Sequence, residues 1–314
     1  MRLLVVNNLA SGYGEGSVYD FVRSLAQDGD EVAIRSTDGT TDLRTFLHDA
    51  EEFDAVAAAG GDGTIAAVAH LLADTGIPLL PFPAGTANLL AMNLGLPTEA
   101  HALAKIARQM RTMDFDLGEI ELSDGERHGF SITAGAGYDA AIMAGAAAAK
   151  RLLGPMAYFT SAFANATPPH ARLRLDIDGK VVETAGVGVL VANFSKIQFD
   201  LKVVHENLPR DGAFDVVVLH TKDAFGLIPA FINVVLDRTG EFPDRTDAFE
   251  LHRGSSVRVE ADPPLAVQFD GEVTDTTTPF SVSMLPKATR FVVGEEAERL
   301  FGEGEPAQRP GGAA

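Results

Sequence analysis

Short apolar runs alternate with stretches of helical apolar spacing through the first third of the chain. Residues 3–6, 31–36, 55–59 and 78–82 read as strands, and residues 18–26, 43–50, 65–73 and 87–94 as the helices that follow them. Strands separated by helices imply a mostly parallel sheet covered on both faces. Ligands of such sheets bind outside the carboxyl ends of the strands. The loops there are residues 7–16, 37–40, 60–64 and 83–88, and three of the four are rich in Gly, Ser or Thr.

The pattern changes near residue 113. Beyond it the apolar residues fall in short β-type runs, at 119–122, 129–134, 172–177, 181–193, 214–220, 256–261, 265–270 and 280–285. Asp178-Gly179 is a hairpin turn signal between the third and fourth runs. Two helical segments, 140–166 and 224–237, interrupt the series. The expected architecture is an α/β nucleotide-binding domain with a mostly parallel sheet at residues 1–115, followed by an antiparallel β-rich domain at 116–294. The active site is expected in the cleft between them. Residues 295–314 form a C-terminal segment whose Pro/Gly/Ala-rich end, 306–314, is expected to be disordered.

Composition narrows the classes. A length of 314 residues suits two domains of roughly 150 residues each. Cysteine is absent, which excludes disulfides and thiolate-held metals. No run approaches the ~20 apolar residues of a membrane span, and the first residues read as a strand rather than a signal peptide. A soluble cytoplasmic protein is expected. The net charge of −19 argues against nucleic acid as a partner and against broad attachment to anionic membranes. One interval differs: no acid lies between Asp139 and Asp176, while Lys150, Arg151, Arg172 and Arg174 do. That interval reads either as a local basic surface for phosphate or lipid headgroups, or as scattered solvated residues.

The chemistry is concentrated in Gly60-Gly61-Asp62-Gly63-Thr64, between an apolar strand and a helix. Glycines at such a junction let backbone N–H groups approach phosphate oxygens, and the helix N-terminus adds partial positive charge. A carboxylate there would repel bare phosphate, so Asp62 fits if Mg²⁺ lies between them. The plain alternative is a turn in which Asp62 and Thr64 cap the helix. The chain has no Gly-x-x-x-x-Gly-Lys-Ser/Thr, His-x-x-x-His or Gly-x-Ser-x-Gly motif, and the glycines at 12, 14 and 16 do not match the dinucleotide fingerprint.

Other short motifs follow in a definite order: Asn8-Leu9-Ala10-Ser11-Gly12 before the GGDGT loop, then Pro83-Ala84-Gly85-Thr86-Ala87-Asn88, Asp116-Leu117-Gly118 and Ala134-Gly135-Ala136-Gly137-Tyr138-Asp139. Pro209-Arg210-Asp211-Gly212-Ala213-Phe214-Asp215 and Asp270-Gly271-Glu272 complete the series. This series resembles the diacylglycerol kinase catalytic-domain family, the soluble bacterial lipid kinases related to sphingosine and ceramide kinases. GGDGT alone is shared with NAD kinases and phosphofructokinases; the late Asp-Gly-Glu favours lipid kinases.

The resemblance implies ATP and Mg²⁺ as cofactors and a residue set to hold them. Asn8, Ser11, Gly12 and Thr37 would contact ATP, Gly60, Gly61, Asp62, Gly63 and Thr64 would cradle its phosphates, and Thr86 with Asn88 would complete the site. Asp211 with the carbonyls of Leu208 and Ala213 matches a structural Mg²⁺ site, while Asp62 and Asp116 would help hold the catalytic Mg²⁺ network through water. Asp270 and Glu272 are the candidates for proton transfer from the acceptor hydroxyl. The resemblance points to Glu272 as the acceptor, although the residues alone do not separate the two. An ordinary hairpin turn is the competing reading of this tripeptide.

Some positions depart from the family pattern. Leu9 replaces a proline, Glu15 stands where a basic residue often follows, Ala66 and Ala67 replace Asn-Glu, and Leu89 replaces an Asp that usually joins the Mg²⁺ network. The implied substrate is a lipid at the inner membrane surface, with 142–163 and 224–236 as apolar surface for it or as ordinary core helices. Oligomeric state is left open, a homodimer included. The competing functions are an NAD or other soluble-substrate kinase, and a non-catalytic nucleotide- or lipid-binding regulator.

Overall fold

The computed structural model describes residues 1–11, 15–85, 88–137, 170–194, 196–197, 201–202, 209–220 and 249–301. The expected helices at 140–166 and 224–237, residues Gly12, Thr86 and Leu208, the basic pair Lys150 and Arg151, and the C-terminal tail lie outside them.

The first half runs β1 (Arg2–Asn8), α1 (Glu15–Leu25), β2 (Glu31–Thr37), α2 (Arg44–Leu47), β3 (Ala55–Gly60), α3 (Asp62–Leu71), β4 (Leu79–Pro83), α4 (Leu89–Asn93) and α5 (Ala100–Gln109). The four strands pair in parallel in the order β2-β1-β3-β4. Every residue of β3 is buried, and its sequence is almost all alanine. Small side chains there let covering elements approach the centre of the sheet closely. The order reverses between β1 and β3, so the loops after Asn8 and Gly60 flank the crevice where parallel sheets bind ligands.

Helix α5 has no counterpart among the sequence expectations. Glu99 caps it through hydrogen bonds from the backbone N–H groups of His101 and Ala102, at 2.9 and 2.6 Å. Leu103, Ala104 and Ala107 form its buried stripe, spaced as an amphipathic helix requires.

The second half opens with β5 (Thr112–Glu121), β6 (Arg127–Phe130) and β7 (Thr133–Gly137). It continues with β8 (Ala171–Ile177), β9 (Lys180–Gly186), β10 (Gly188–Ala192), β11 (Lys196–Ile197), β12 (Leu201–Lys202) and β13 (Phe214–Leu219). Then come β14 (Phe249–Gly254), β15 (Ser256–Asp262), β16 (Ala266–Phe269), β17 (Glu272–Thr277), β18 (Phe280–Val292) and a closing helix α6 (Glu295–Phe301). Asp178-Gly179 forms the expected hairpin turn, with φ of 50° and 83°, between β8 and β9. The arginines expected to offer a basic surface on β8 are partnered instead. Arg174 lies 3.5 Å from Glu260 and 4.0 Å from Glu183, and Arg172 lies 3.9 Å from Asp262.

Six of these strands make an antiparallel sheet in the order β14-β13-β10-β7-β16-β17. Strands β11 and β12 pair only with each other, and the remaining ones extend the first sheet, which runs β2-β1-β3-β4-β18-β15-β8-β9 with β5 and β6 attached through β18. Leu173, Leu175, Val257, Val259 and Val282 from one sheet pack with Val189, Val191, Val216, Val218 and Val267 from the other. This is the core of a sandwich.

One sheet therefore crosses the expected boundary at residue 115, and β18 belongs to both halves. Its Phe291 pairs in parallel with Leu79 of β4, while the strand runs antiparallel to β5 and β15. Ala288, Phe291, Val292, Val293 and Ala297 lie in the core of the first half. The chain returns to its first domain before residue 294, and α6 completes that core rather than trailing from it.

A buried carboxylate fastens the junction. Asp116 is 1% exposed, and its two oxygens accept the backbone N–H groups of Gly212 and Lys287, both at 2.7 Å. Lys287 sits in the bulge of β18 with φ of 50°. The backbone of Asp116 is tied as well: its N–H donates to Pro209, and its carbonyl accepts from the buried Asn193 amide at 2.9 Å. Phe115, Phe194, Phe291 and Phe301 pack around this point with ring centroids 5.6–6.2 Å apart. An amide in place of this carboxylate would set an NH₂ against one of two backbone donors. Asp116→Asn should lower stability by about 1–3 kcal/mol, read as a shift in urea midpoint without a change in slope.

Candidate active site

Helix α3 begins immediately after β3, and its N-cap is Gly61, with φ −81° and ψ 176°. No side chain caps it. The alternative in which Asp62 and Thr64 merely close the helix end is therefore not what these residues do. Asp62 turns away, and its carboxylate accepts the backbone N–H of Leu90 on α4 at 2.9 Å. Thr64 Oγ1 accepts from the Asn8 amide at 2.8 Å, and the N–H of Gly61 donates to Ser11 Oγ at 3.2 Å. These bonds stitch the loop after β1 to the loop after β3, and they leave the N-terminus of a ten-residue helix without a side-chain acceptor of its own.

The loop after β4 closes against the same place. Asn88 holds a left-handed backbone, φ 52°, and its amide exchanges two hydrogen bonds with the backbone of Gly85 at 2.8 and 3.0 Å. A Cβ at Gly85 would lie 2.5 Å from the Cα of Gly61, so only glycine permits this approach. Thr37 is buried at the end of β2, where its hydroxyl accepts from Gly39 N–H at 3.1 Å and its carbonyl accepts from Leu9 N–H at 2.8 Å. The described residues expected to contact nucleotide, Asn8, Ser11, Thr37, Gly60, Gly61, Gly63, Thr64 and Asn88, thus belong to adjoining loops at one edge of the parallel sheet.

The second half supplies the facing wall. Helix α3 packs against β6, where the His70 ring takes the space a side chain at Gly129 would need: a Cβ there would come within 2.6 Å of His70 Cγ. At the opposite end of α3 lies the turn between β16 and β17. Asp270 and Gly271 have φ of 43° and 86°, the conformation of a two-residue hairpin turn. The tripeptide is therefore a hairpin turn and part of the site at once; the two readings do not compete.

The structure separates the two carboxylates that the residue pattern left together. Asp270 is half-buried and accepts three backbone N–H groups, from Ser131 at 2.6 Å, Ile132 at 2.8 Å and Thr133 at 2.9 Å. Burial pushes its carboxyl up to about 7; the three N–H groups oppose that rise, and the nearby charge of Asp62 adds to it. Both its oxygens are committed to the strand junction between β6 and β7. Glu272 is exposed and reaches across to Gly63. A Cβ at Gly63 would lie 2.9 Å from Glu272 Cδ and closer still to Oε1. The later carboxylate thus stands directly over the first turn of α3.

Asp62 shares the space with Asp270, and its own carboxyl is raised above the usual range by burial, against the N–H of Leu90. The two oxygens of Asp116, which the resemblance implied for the same network, accept backbone N–H groups at the domain junction. Asp211 accepts Ala213 N–H at 3.2 Å and pairs with Arg253. Among the described residues no cluster of three or more acidic, His or Cys side chains is arranged to hold a metal. Three groups that sequence reasoning missed support the site from behind: Asn193, Arg253, and Gln268, whose side chain accepts Gly271 N–H at 3.2 Å. For Asn193 and Gln268 the available signal was a polar residue at a buried position of a β-run; exposed Arg253, which pairs with Asp211, carried none.

Comparison with known proteins agrees with this fold. Residues 2–120 match the family model of the diacylglycerol kinase catalytic domain, and residues 132–293 match that of the YegS C-terminal NAD kinase β-sandwich-like domain. The chain is a kinase-type α/β and β-sandwich protein. It belongs to the diacylglycerol kinase catalytic-domain family, a family of phosphotransferases that use ATP. It is 27% identical over 302 residues to a diacylglycerol kinase of Mycobacterium tuberculosis, covering 93% of this chain and 94% of that one. An uncharacterized Synechocystis protein is 28% identical over 248 residues, which are 76% of this chain and only 55% of that relative's length. A diacylglycerol kinase structure from Bacillus anthracis superposes with a TM-score of 0.73 at 23% identity, covering 94% and 97% of the two chains. An NAD kinase from Archaeoglobus fulgidus in complex with ATP superposes with a TM-score of 0.52 at 16% identity over 96% and 97%, a likeness of fold alone.

Two substitutions test the division of labour. Gly63→Ala should leave the helical backbone intact and push Glu272 aside, lowering turnover by roughly 100-fold as a displacement near 1 Å can, with melting temperature unchanged or raised. For Asp270, a carboxyl whose folded-state pKa lies above its unfolded one binds more protons in the folded protein, so its contribution to stability falls as pH rises from about 4 to about 7. The stability of wild type minus that of Asp270→Asn, from urea titrations across that range, should therefore decrease with pH. A difference that grows with pH would contradict the assignment.

Proposed function

We propose that this chain is an ATP- and Mg²⁺-dependent lipid kinase, which transfers the γ-phosphoryl group to a hydroxyl of a diacylglycerol-like or sphingoid, ceramide-type lipid. The observation that carries this reading is the contact of Glu272 with Gly63. It puts a solvent-accessible carboxylate beside an uncapped helix N-terminus, so a proton acceptor and a phosphate cradle share one cleft.

In this reading the backbone N–H groups of the first turn of α3 hold phosphate oxygens. Asn8, Ser11, Thr37 and Asn88 fix the loops around the nucleotide, and Thr86 and Gly12 complete them. Glu272 takes the proton of the lipid hydroxyl as its oxygen bonds to the γ-phosphorus and the bond to the leaving ADP oxygen breaks. Asp270 holds the turn that aims Glu272. When bound, Mg²⁺ would offset the negative charge of the phosphates. Asp62 fits as its holder, because burial and the neighbouring Asp270 both make an uncompensated charge there unfavourable. Asp116 contributes through the domain junction.

The lipid would be met at the inner membrane surface by a cytoplasmic protein. Among the described residues no helix is long and apolar enough to cross a membrane, and a net charge of −19 disfavours tight standing attachment. The soluble-substrate alternative, an NAD kinase, has the distant Archaeoglobus fold likeness in its favour.

Labelled ATP with Mg²⁺ and a panel of mixed-micelle lipids, with NAD as control, tests the reading. Label should move to a lipid hydroxyl and not to NAD. Glu272→Gln and Asp62→Asn should each lower turnover by about 10²–10⁴-fold while circular dichroism and melting stay near wild type. Transfer to NAD alone, or near-wild-type turnover in both variants, would overturn the assignment.

A further inference from the structure

The resemblance assigns a structural Mg²⁺ to the turn at residues 208–213, with Asp211 as its one carboxylate. The contacts of that turn do not suit a metal. Asp211 Oδ2 is paired with the guanidinium of Arg253, and Oδ1 accepts the N–H of Ala213 at 3.2 Å. Arg253 lies on β14, where its Cα is the register partner of Asp215 on β13. That register brings the guanidinium alongside the turn that leads into β13. The Arg253 guanidinium thus occupies the carboxylate oxygen a divalent cation would need, and a cation binding there would have to displace that charge or sit beside it.

The turn is also fastened by protein groups that a structural metal would otherwise have to replace. Arg210 donates from Nε to the carbonyl of Asp114 at 2.7 Å and from Nη1 to that of Phe301 at 2.6 Å. Its guanidinium lies 5.9 Å from the centre of the Phe115 ring. Pro209 carbonyl accepts Asp116 N–H at 2.9 Å, and Gly212 N–H donates to Asp116 Oδ2 at 2.7 Å. Four direct links thus tie residues 209–212 to β5 and α6.

We infer that in this protein Arg253 is the built-in counter-ion of Asp211 in the turn at residues 209–213 and takes the place of a structural Mg²⁺. The turn holds its shape without metal. The inference rests on family membership and on these contacts, and it is independent of the proposed lipid substrate.

The test uses the full chain without nucleotide or lipid, so it reads this turn whether or not the catalytic assignment stands. Melting temperature should be the same in EDTA and in millimolar Mg²⁺, and elemental analysis should find no stoichiometric Mg²⁺ after gel filtration in metal-free buffer. Arg253→Met and Asp211→Asn should each lower the melting temperature by roughly 1–4 °C, and the double variant by no more than the larger single effect. A wild-type Mg²⁺ response that Asp211→Asn abolishes would overturn the inference, as would an unchanged melting temperature in Arg253→Met. A Mg²⁺ response that survives Asp211→Asn belongs to another site and bears it out. A wild-type chain with neither a Mg²⁺ response nor bound Mg²⁺ bears the inference out even where a variant does not fold, and stoichiometric Mg²⁺ in the wild type that Arg253→Met binds equally well overturns it.

Discussion

Asp116 is the constraint on which the rest of the molecule turns. A carboxylate buried to 1% exposure is costly unless its oxygens are satisfied, and here two backbone donors from distant segments satisfy them. One donor lies in the turn that leads into the antiparallel sheet, the other in the bulge of the strand shared by both halves. The same interaction that lowers the cost of burial therefore fixes the angle between the halves. The position of Glu272 over α3 follows from that angle.

Rigidity is distributed unevenly around the cleft. Asp270 is held by three backbone N–H groups, Asn88 by a two-way exchange with Gly85, and Thr64 by Asn8. The reactive edge is different: Glu272 is exposed, and the N-terminus of α3 has no side-chain cap. A scaffold of satisfied groups thus surrounds two unsatisfied ones, which is the arrangement a phosphoryl-transfer site needs if its substrates are to complete it.

Much of this was legible in the sequence, for identifiable reasons. The strands β1, β3 and β4 are continuous apolar runs because they are buried on both faces, and the glycine-rich loops after β1, β3 and β4 came with them. Helix α5 was not legible: its cap is a glutamate, and its stripe is mostly alanine among His101, Lys105 and Arg108. Strands β14 and β17 were missed because they are the polar edges of their sheet, and β17 buries almost nothing. Asp270 and Glu272 could not be told apart, since the difference is made by the backbone of Ser131, Ile132 and Thr133, about 140 residues earlier. The part Asp116 plays at the junction depends likewise on Lys287 and Gly212. Arg253 belongs to no motif and only register places it beside Asp211.

The return of β18 to the first half bears on how the protein is made. Its Phe291 lies beside Leu79, and Val292, Val293 and Ala297 fill a core begun by residues 3–6. A nascent chain emerging from the ribosome carries every nucleotide loop long before the strand that seals their sheet. Until then β4 presents an open hydrogen-bonding edge and an unfinished apolar face, the features that invite wrong partners. The sheet that carries the loops is thus completed by a strand that follows all of them in the chain.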